Sequence, residues 1–189
     1  MSRATSPRVR FTAREFERMV DADVFGTTRV ELVNGRVYRM TQKQAHIWAV
    51  SKIVRLLTTI VPREEWLITQ GTLRLDDRSM PDPDFVWLPC AMGTPAEQWP
   101  TPVLLIEVSD TTYRKDSGVK LRTYAAHRIP EYWIVNLAAR RVEVYRDPVS
   151  PGGQRRGSQY QTVSHHGPGA TVTLSTRPDV SVLVDDLLP

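Results

Sequence analysis

The sequence predicts an α/β domain: a mixed central β-sheet flanked by helices, preceded by an N-terminal helix and a β-hairpin. Three observations predict it. Helical spacing and strand-like runs alternate along the chain in the order helix, hairpin, helix, strands, helix, strands. Arg29-Val-Glu-Leu-Val and Arg36-Val-Tyr-Arg-Met alternate on either side of Asn34-Gly35, the pair preferred in a type I′ hairpin turn. The run Val103-Leu-Leu-Ile-Glu-Val-Ser109 is apolar enough for a central strand buried on both faces. The 189 residues, 41% of them hydrophobic, suffice for one domain with a sizeable core. It is expected over residues 11–189, behind a disordered basic arm of residues 1–10.

Each element has its own signal. Thr12 is placed to cap a helix running to Asp21, with Glu15 at the capping-box position. The hairpin follows, with Glu31 on its first strand. Residues 43–61 have helical spacing, with Ile47, Val50, Val54, Leu57 and Val61 near one face, and Pro62 ends the helix. Trp66 to Leu75 alternates as a strand before a turn at 76–79. Residues 84–88 form a short apolar strand and 89–101 a loop rich in Pro and small residues. After the strand at 103–109, a helix is expected from Asp116 to Arg128, with Val119, Tyr124 and Ala125 available for packing. Glu131-Tyr-Trp-Ile-Val reads as a second buried strand, with Arg140 to Arg146 as its neighbour and Tyr132 and Trp133 in the core. Residues 147–158 read as a loop in which Arg155 and Arg156 sit on the surface. Strands at 159–164 and 171–174 are expected to continue the sheet, and Val182 to Leu188 to form a terminal helical turn.

Composition narrows the function. No run approaches the roughly 18 apolar residues of a membrane span, and the N-terminus lacks the apolar segment of a signal peptide. One cysteine, Cys90, excludes an internal disulfide and fits a reducing cytoplasm. With four histidines (46, 127, 165, 166) and that single cysteine, a structural zinc site is not expected. Net charge is +4 and the pI near 9.5; four of the 25 basic residues are Lys, so 21 are Arg. Arg forks suit phosphate, but no block of five basic residues occurs. The balance permits a polyanionic partner without demanding one.

The candidate site rests on four residues. An acid inside a buried strand is unfavourable unless paired or bound to a cation, and Glu107 interrupts the most apolar run of the chain. Asp84 opens the apolar strand in Pro81-Asp82-Pro83-Asp84-Phe85-Val86-Trp87; Asp82 competes with it, and Asp84 is preferred for its position at the strand. On neighbouring strand ends, Asp84 and Glu107 would make an open site of the kind Mg²⁺ prefers, with the Val108 carbonyl as a further oxygen ligand. Such an ion neutralises phosphoryl charge, activates water and assists the leaving oxygen. Lys120, one crossover away, could stabilise negative charge at the phosphate. Glu31 could complete the ring of acids. A single acid at a strand end is ordinarily a solvated rim residue, so spacing alone makes a weak case. The same holds for a helical lysine and for an acid on a hairpin. Ser109 reads as a brace for the following loop, His46 as a hydrogen-bonding neighbour of the site, and Tyr124 as core.

These segments resemble a known family in the order they occur. Glu31-Leu-Val-Asn-Gly-Arg-Val, His46, Pro83-Asp84-Phe-Val-Trp, Leu105-Ile-Glu107-Val-Ser109, Asp116-Ser-Gly-Val-Lys120-Leu-Arg-Thr-Tyr124 and Ile129-Pro-Glu-Tyr-Trp-Ile-Val resemble the Uma-type restriction endonuclease family of the PD-(D/E)XK superfamily, over residues 12–188. The resemblance implies a restriction-endonuclease-like core and a Mg²⁺- or Mn²⁺-dependent nuclease acting on DNA. Asp84 and Glu107 would be the metal-binding acids, Lys120 the catalytic lysine and Glu31 the acid from the N-terminal region. The wider superfamily places its lysine two residues after the acid; here that position is Ser109, and Lys120 on the next helix takes the part. The rival expectation is a module that grips nucleic acid or protein without cutting. Small nucleases of this fold often act as dimers, so a homodimer is expected by analogy alone.

Overall fold

A computed structural model describes residues 9–151 and 157–189 of the chain. Residues 1–8 of the expected arm and the Arg155–Arg156 pair lie outside the described residues. Helix α1 (Ala13–Asp21) begins at the expected cap: Glu15 N–H donates to Thr12 Oγ1, and the Thr12 N–H donates to the Glu15 carboxylate. Strands β1 (Val30–Val33) and β2 (Arg36–Arg39) form the hairpin. Asn34 and Gly35 have φ of 52° and 73°, as a type I′ turn requires. A Cβ on Gly35 would lie 2.9 Å from the Cβ of Arg10, whose guanidinium donates to the Asn34 carbonyl.

Helix α2 (Gln44–Ile60) leads into a six-stranded sheet of order β3-β4-β5-β6-β7-β8. Its strands are β3 (Trp66–Thr69), β4 (Phe85–Leu88), β5 (Leu104–Ser109), β6 (Glu131–Asn136), β7 (Arg141–Val149) and β8 (Gln159–His166). The pair β5–β6 is parallel and the others antiparallel, so the sheet is mixed. Strand alternation divides the core in two. Leu104, Ile106 and Val108 of β5 join Phe85, Trp87, Trp133 and Val135 against Ala49, Ile53 and Leu57 of α2. Leu105 joins Val86, Leu88, Tyr132 and Ile134 against Tyr124 and Ala125 on the opposite face. Each fully buried Ile or Leu contributes about 1.5–3 kcal/mol. Glu107 and Ser109 share the register of Leu105 and so face this second helical layer.

That layer is one helix interrupted by a π turn: α3 (Tyr113–Lys115), the π turn Asp116–Lys120, and α4 (Leu121–Ala126). The expected helix therefore starts three residues early and carries a wider turn at the segment that ends in Lys120.

Several local expectations are corrected. On α2 the buried face is His46, Ala49, Ile53 and Leu57, whereas Ile47 is 44% exposed. Leu57 is buried as expected and Val50, Val54 and Val61 are partly buried against the same core, while the apolar pattern misses His46, Ala49 and Ile53. The strand from Trp66 stops at Thr69, because Gln70 turns the chain at φ 52°. The segment to Leu75 is held by single bonds to Asp84, Pro81 and Ser79 carbonyls. Residues 147–149 are not loop; they extend β7, with Pro148 opposite Tyr160, while Asp147 takes φ 57°. Residues 171–174 do not continue the sheet: β9 (Thr171–Thr173) pairs with β10 (Ser181–Leu183). A 3-10 turn (Val184–Asp186) follows β10, and this C-terminal unit covers the α2-side core with Val172, Val182, Val184 and Leu187. No helix among the described residues is long and apolar enough to cross a membrane.

Candidate active site

Four elements bring Glu31, Asp84, Glu107 and Lys120 into one buried cluster, each at most 5% exposed. The hairpin reaches it because Leu32 and Met80 exchange backbone hydrogen bonds at 3.2 and 2.8 Å, tying β1 to the segment that runs into Asp84. Asp82 N–H then donates to Glu31 Oε2 at 3.1 Å. From the π turn, Lys120 Nζ lies 2.6 Å from Glu107 Oε1 and 2.9 Å from Glu31 Oε2. Lys115 pairs with the other oxygen of Glu31. The Tyr124 hydroxyl, one turn on, donates to Glu107 Oε1 at 2.8 Å.

Asp84 is fixed from two sides. Its Oδ2 accepts the Val108 N–H at 2.8 Å and lies 3.1 Å from His46 Nε2. The N–H and C=O of one strand residue point to the same side, so the Val108 carbonyl also points toward β4. The β4–β5 register continued by two residues sets Pro83 opposite Val108, and proline has no N–H to offer that carbonyl. The proline of the Pro83-Asp84 element thus leaves an oxygen beside the acid.

The carboxylates are used on one side only. Among the described residues, all hydrogen bonds to the Asp84 side chain fall on Oδ2, and all those to Glu107 on Oε1. Asp84 Oδ1 and Glu107 Oε2 are left open. Both residues line a pocket of about 30 Å³ with Val108, His46, Asp82, Thr112, Lys115, Asp116 and Lys120. That is room on the order of one water or one small ion. No three of the Asp, Glu, His and Cys side chains among the described residues form a closed metal cage. Two carboxylates with a carbonyl and an open side instead match the hard, oxygen-rich, partly hydrated coordination of Mg²⁺ or Mn²⁺.

Burial drives the Glu107 carboxyl well above its ordinary range, overcoming the attraction of Lys120, and Asp116 and Asp84 push the same way. Burial also opposes charge on Glu31, but Lys120 and Lys115 outweigh it and hold that carboxyl below its usual value. Lys120 loses hydration on burial, yet Glu107 and Glu31 keep its ammonium well above the ordinary lysine range. Asp82 and Asp116 are both raised, burial being the largest cause in each.

All four residues singled out from sequence meet, and His46 and Ser109 take the bracing positions expected of them: the Ser109 hydroxyl donates to Asp116 Oδ2 at 2.7 Å. Tyr124 is core, as expected, but its hydroxyl also serves Glu107. Lys115 and Asp116 were missed. Asp116 entered the sequence reading only as the start of a helix and part of the segment ending at Tyr124, and Lys115 not at all.

A mixed sheet with acids at the ends of adjoining central strands and a buried lysine on the following helix defines an α/β protein of the nuclease-like class. The fold is shared with a crystal structure described as "a putative nuclease belonging to DUF820" from Anabaena variabilis: TM-score 0.65, 15% identity, 94% of this chain and 97% of that one. The profile of the Uma2 family, described as "Putative restriction endonuclease", matches residues 13–185, and the chain belongs to that family. No curated protein matches the chain in sequence.

Proposed function

We propose that the chain is an endonuclease that hydrolyses DNA phosphodiester bonds with Mg²⁺ or Mn²⁺, held by Asp84, Glu107 and the Val108 carbonyl. One observation carries the reading: two buried carboxylates, each hydrogen-bonded through one oxygen only, line the same small pocket beside a buried ammonium. When bound, the ion supplies charge neutralisation at the phosphoryl oxygens and acidifies water. The rest belongs to the chain. Lys120 presents fixed positive charge where negative charge grows on phosphorus-bound oxygens. Glu31 anchors both Lys120 and Lys115 and so aims the ammonium groups. His46 and the Val108 N–H orient Asp84, while Tyr124 and Lys120 hold one oxygen of Glu107 and leave the other open. The family and the nuclease-like fold support this class of chemistry.

The test is nicking or linearisation of supercoiled plasmid in Mg²⁺ or Mn²⁺, abolished by chelator and by Asp84→Ala. Pure protein that cuts no DNA with either ion sinks the proposal. Salt-dependent DNA binding that ignores chelator would instead identify a gripping module.

A further inference from the structure

The two lysines beside the site are held unequally. Lys120 Nζ is shared between Glu107 Oε1 at 2.6 Å and Glu31 Oε2 at 2.9 Å, and its side chain is 2% exposed. The Lys115 ammonium pairs only with Glu31 Oε1, and its side chain is 15% exposed. An ammonium group carries three N–H donors. Lys115 gives one to Glu31, and the other two meet no acceptor among the described residues. Three contacts tie this ammonium to the site: Lys115 to Glu31, Glu31 to Lys120, and Lys120 to Glu107. Lys115 also lines the pocket with Asp84, Glu107 and Val108.

The chemistry narrows the role. Asp82, Asp84, Glu107 and Asp116 line the same pocket, so an arriving phosphodiester is repelled unless a cation meets it. Lys120 is buried between two carboxylates and acts by its field alone. The pocket volume of about 30 Å³ is taken up by the ion, so the phosphate stays where solvent reaches the pocket wall. Lys115 is the lysine of that wall that solvent reaches, and charged N–H donors bind phosphate oxygens strongly. The alternative is that Lys115 only neutralises Glu31, a task Lys120 already performs from the other oxygen.

The geometry points to Lys115 as the residue that grips the scissile phosphate, its unused N–H groups donating to a non-bridging oxygen. The inference rests on the nuclease reading and goes beyond it. Asp84 and Glu107 hold the ion, Lys120 fixes Glu107 and Glu31, and Lys115 touches the substrate. Lys115 transfers no proton; it binds the phosphate and orients it against the ion.

The test compares the parent with Lys115→Met, which keeps the length of the stem and removes the charge. In Mn²⁺, kcat/KM for plasmid cleavage should fall about 10- to 100-fold. Mn²⁺ affinity, read from the loss of the free-ion EPR signal, should stay within about twofold of the parent. The slope of log kcat/KM against log salt should become shallower by about one, because one phosphate contact is lost. Parental kcat/KM or a parental slope overturns the inference, and so does a loss of Mn²⁺ affinity that matches the loss of rate. A Glu31→Gln background separates contact from charge balance. There Lys115→Met should still lower kcat/KM by a similar factor; an effect under about twofold would make Lys115 the counter-ion of Glu31 and refute the contact. Should Glu31→Gln leave no measurable cleavage, the salt slope of Lys115→Met decides alone. Should Lys115→Met not fold, Lys115→Gln, which can still donate to Glu31, is read in its place. A parent that cuts no DNA removes the nuclease reading itself, a failure distinct from an active parent with an equally active variant.

Discussion

Two sets of buried acids, in or beside the same sheet, are treated differently. Glu131 and Glu143, on β6 and β7, are 0% exposed. Glu131 accepts from Trp133 Nε1 and Arg146 on one oxygen, and from the Ser175 N–H and hydroxyl on the other. Glu143 accepts from Asn136 and Arg141 on one oxygen, and from the Tyr113 and Tyr145 hydroxyls on the other. Both carboxylates are saturated on both oxygens. Asp84 and Glu107 are also buried, and each is held through one oxygen while the other makes no hydrogen bond among the described residues. A saturated buried acid is a structural joint; a half-saturated one is held ready for something outside the chain.

The contrast can be broken most sharply at Glu107. Glu107→Gln should lower cleavage on the order of a thousandfold or more while leaving Tm near the parental value, because the amide oxygen can still receive Lys120 and Tyr124. A loss of stability in step with activity would erase the distinction. Glu131→Ala should behave in the opposite way. It strips partners from Arg146 and Ser175, so it should destabilise by about 3–5 kcal/mol in denaturant melts, with cleavage per folded molecule unchanged.

A third experiment asks which set responds to a divalent ion. At a hundredfold excess over its Kd, Mn²⁺ should stabilise the parent by about 2.7 kcal/mol, seen as a rise in Tm. Asp84→Asn should lose that rise and Glu131→Gln should keep it; the reverse pattern would put the ion elsewhere. The smallest effect concerns acid. Burial works against charge on Glu143, but its Tyr145, Arg141, Asn136 and Tyr113 partners hold its carboxyl below the ordinary value. Its stabilisation is therefore complete above the unfolded-state range near pH 4.5 and is lost as pH falls through the lower folded value. Tm followed from about pH 6 to 3 should fall less steeply for Glu143→Gln than for the parent.

Much of this was legible in the residues. Asn34-Gly35 between alternating runs gave the hairpin because few other pairs accept two positive φ angles in succession. Thr12 and Glu15 announced α1 because a capping box is local chemistry. Glu107 stood out because a charge within Leu-Leu-Ile-Glu-Val needs a reason. Other features were not legible. The buried face of α2 begins with His46, so the apolar pattern named exposed Ile47 there, although Val50, Val54, Leu57 and Val61 do pack on the core. The π turn from Asp116 to Lys120 has no propensity signature.

By itself, then, the sequence determined the α/β class, the hairpin, the buried strands, the family and the four residues of the candidate site, since all of these follow from local backbone preference, apolar periodicity and recognisable segments. Tertiary structure alone decided that Lys115 and Lys120 share Glu31, that Asp116 is buried beneath Ser109 and Thr112, and that Glu131 is sealed while Glu107 is not. In the chain Glu107 lies inside an apolar run and Glu131 opens one, but neither position says which donors will reach its carboxylate. Their difference is set by which donors from distant segments reach each oxygen, and that is a property of packing, not of neighbours in sequence.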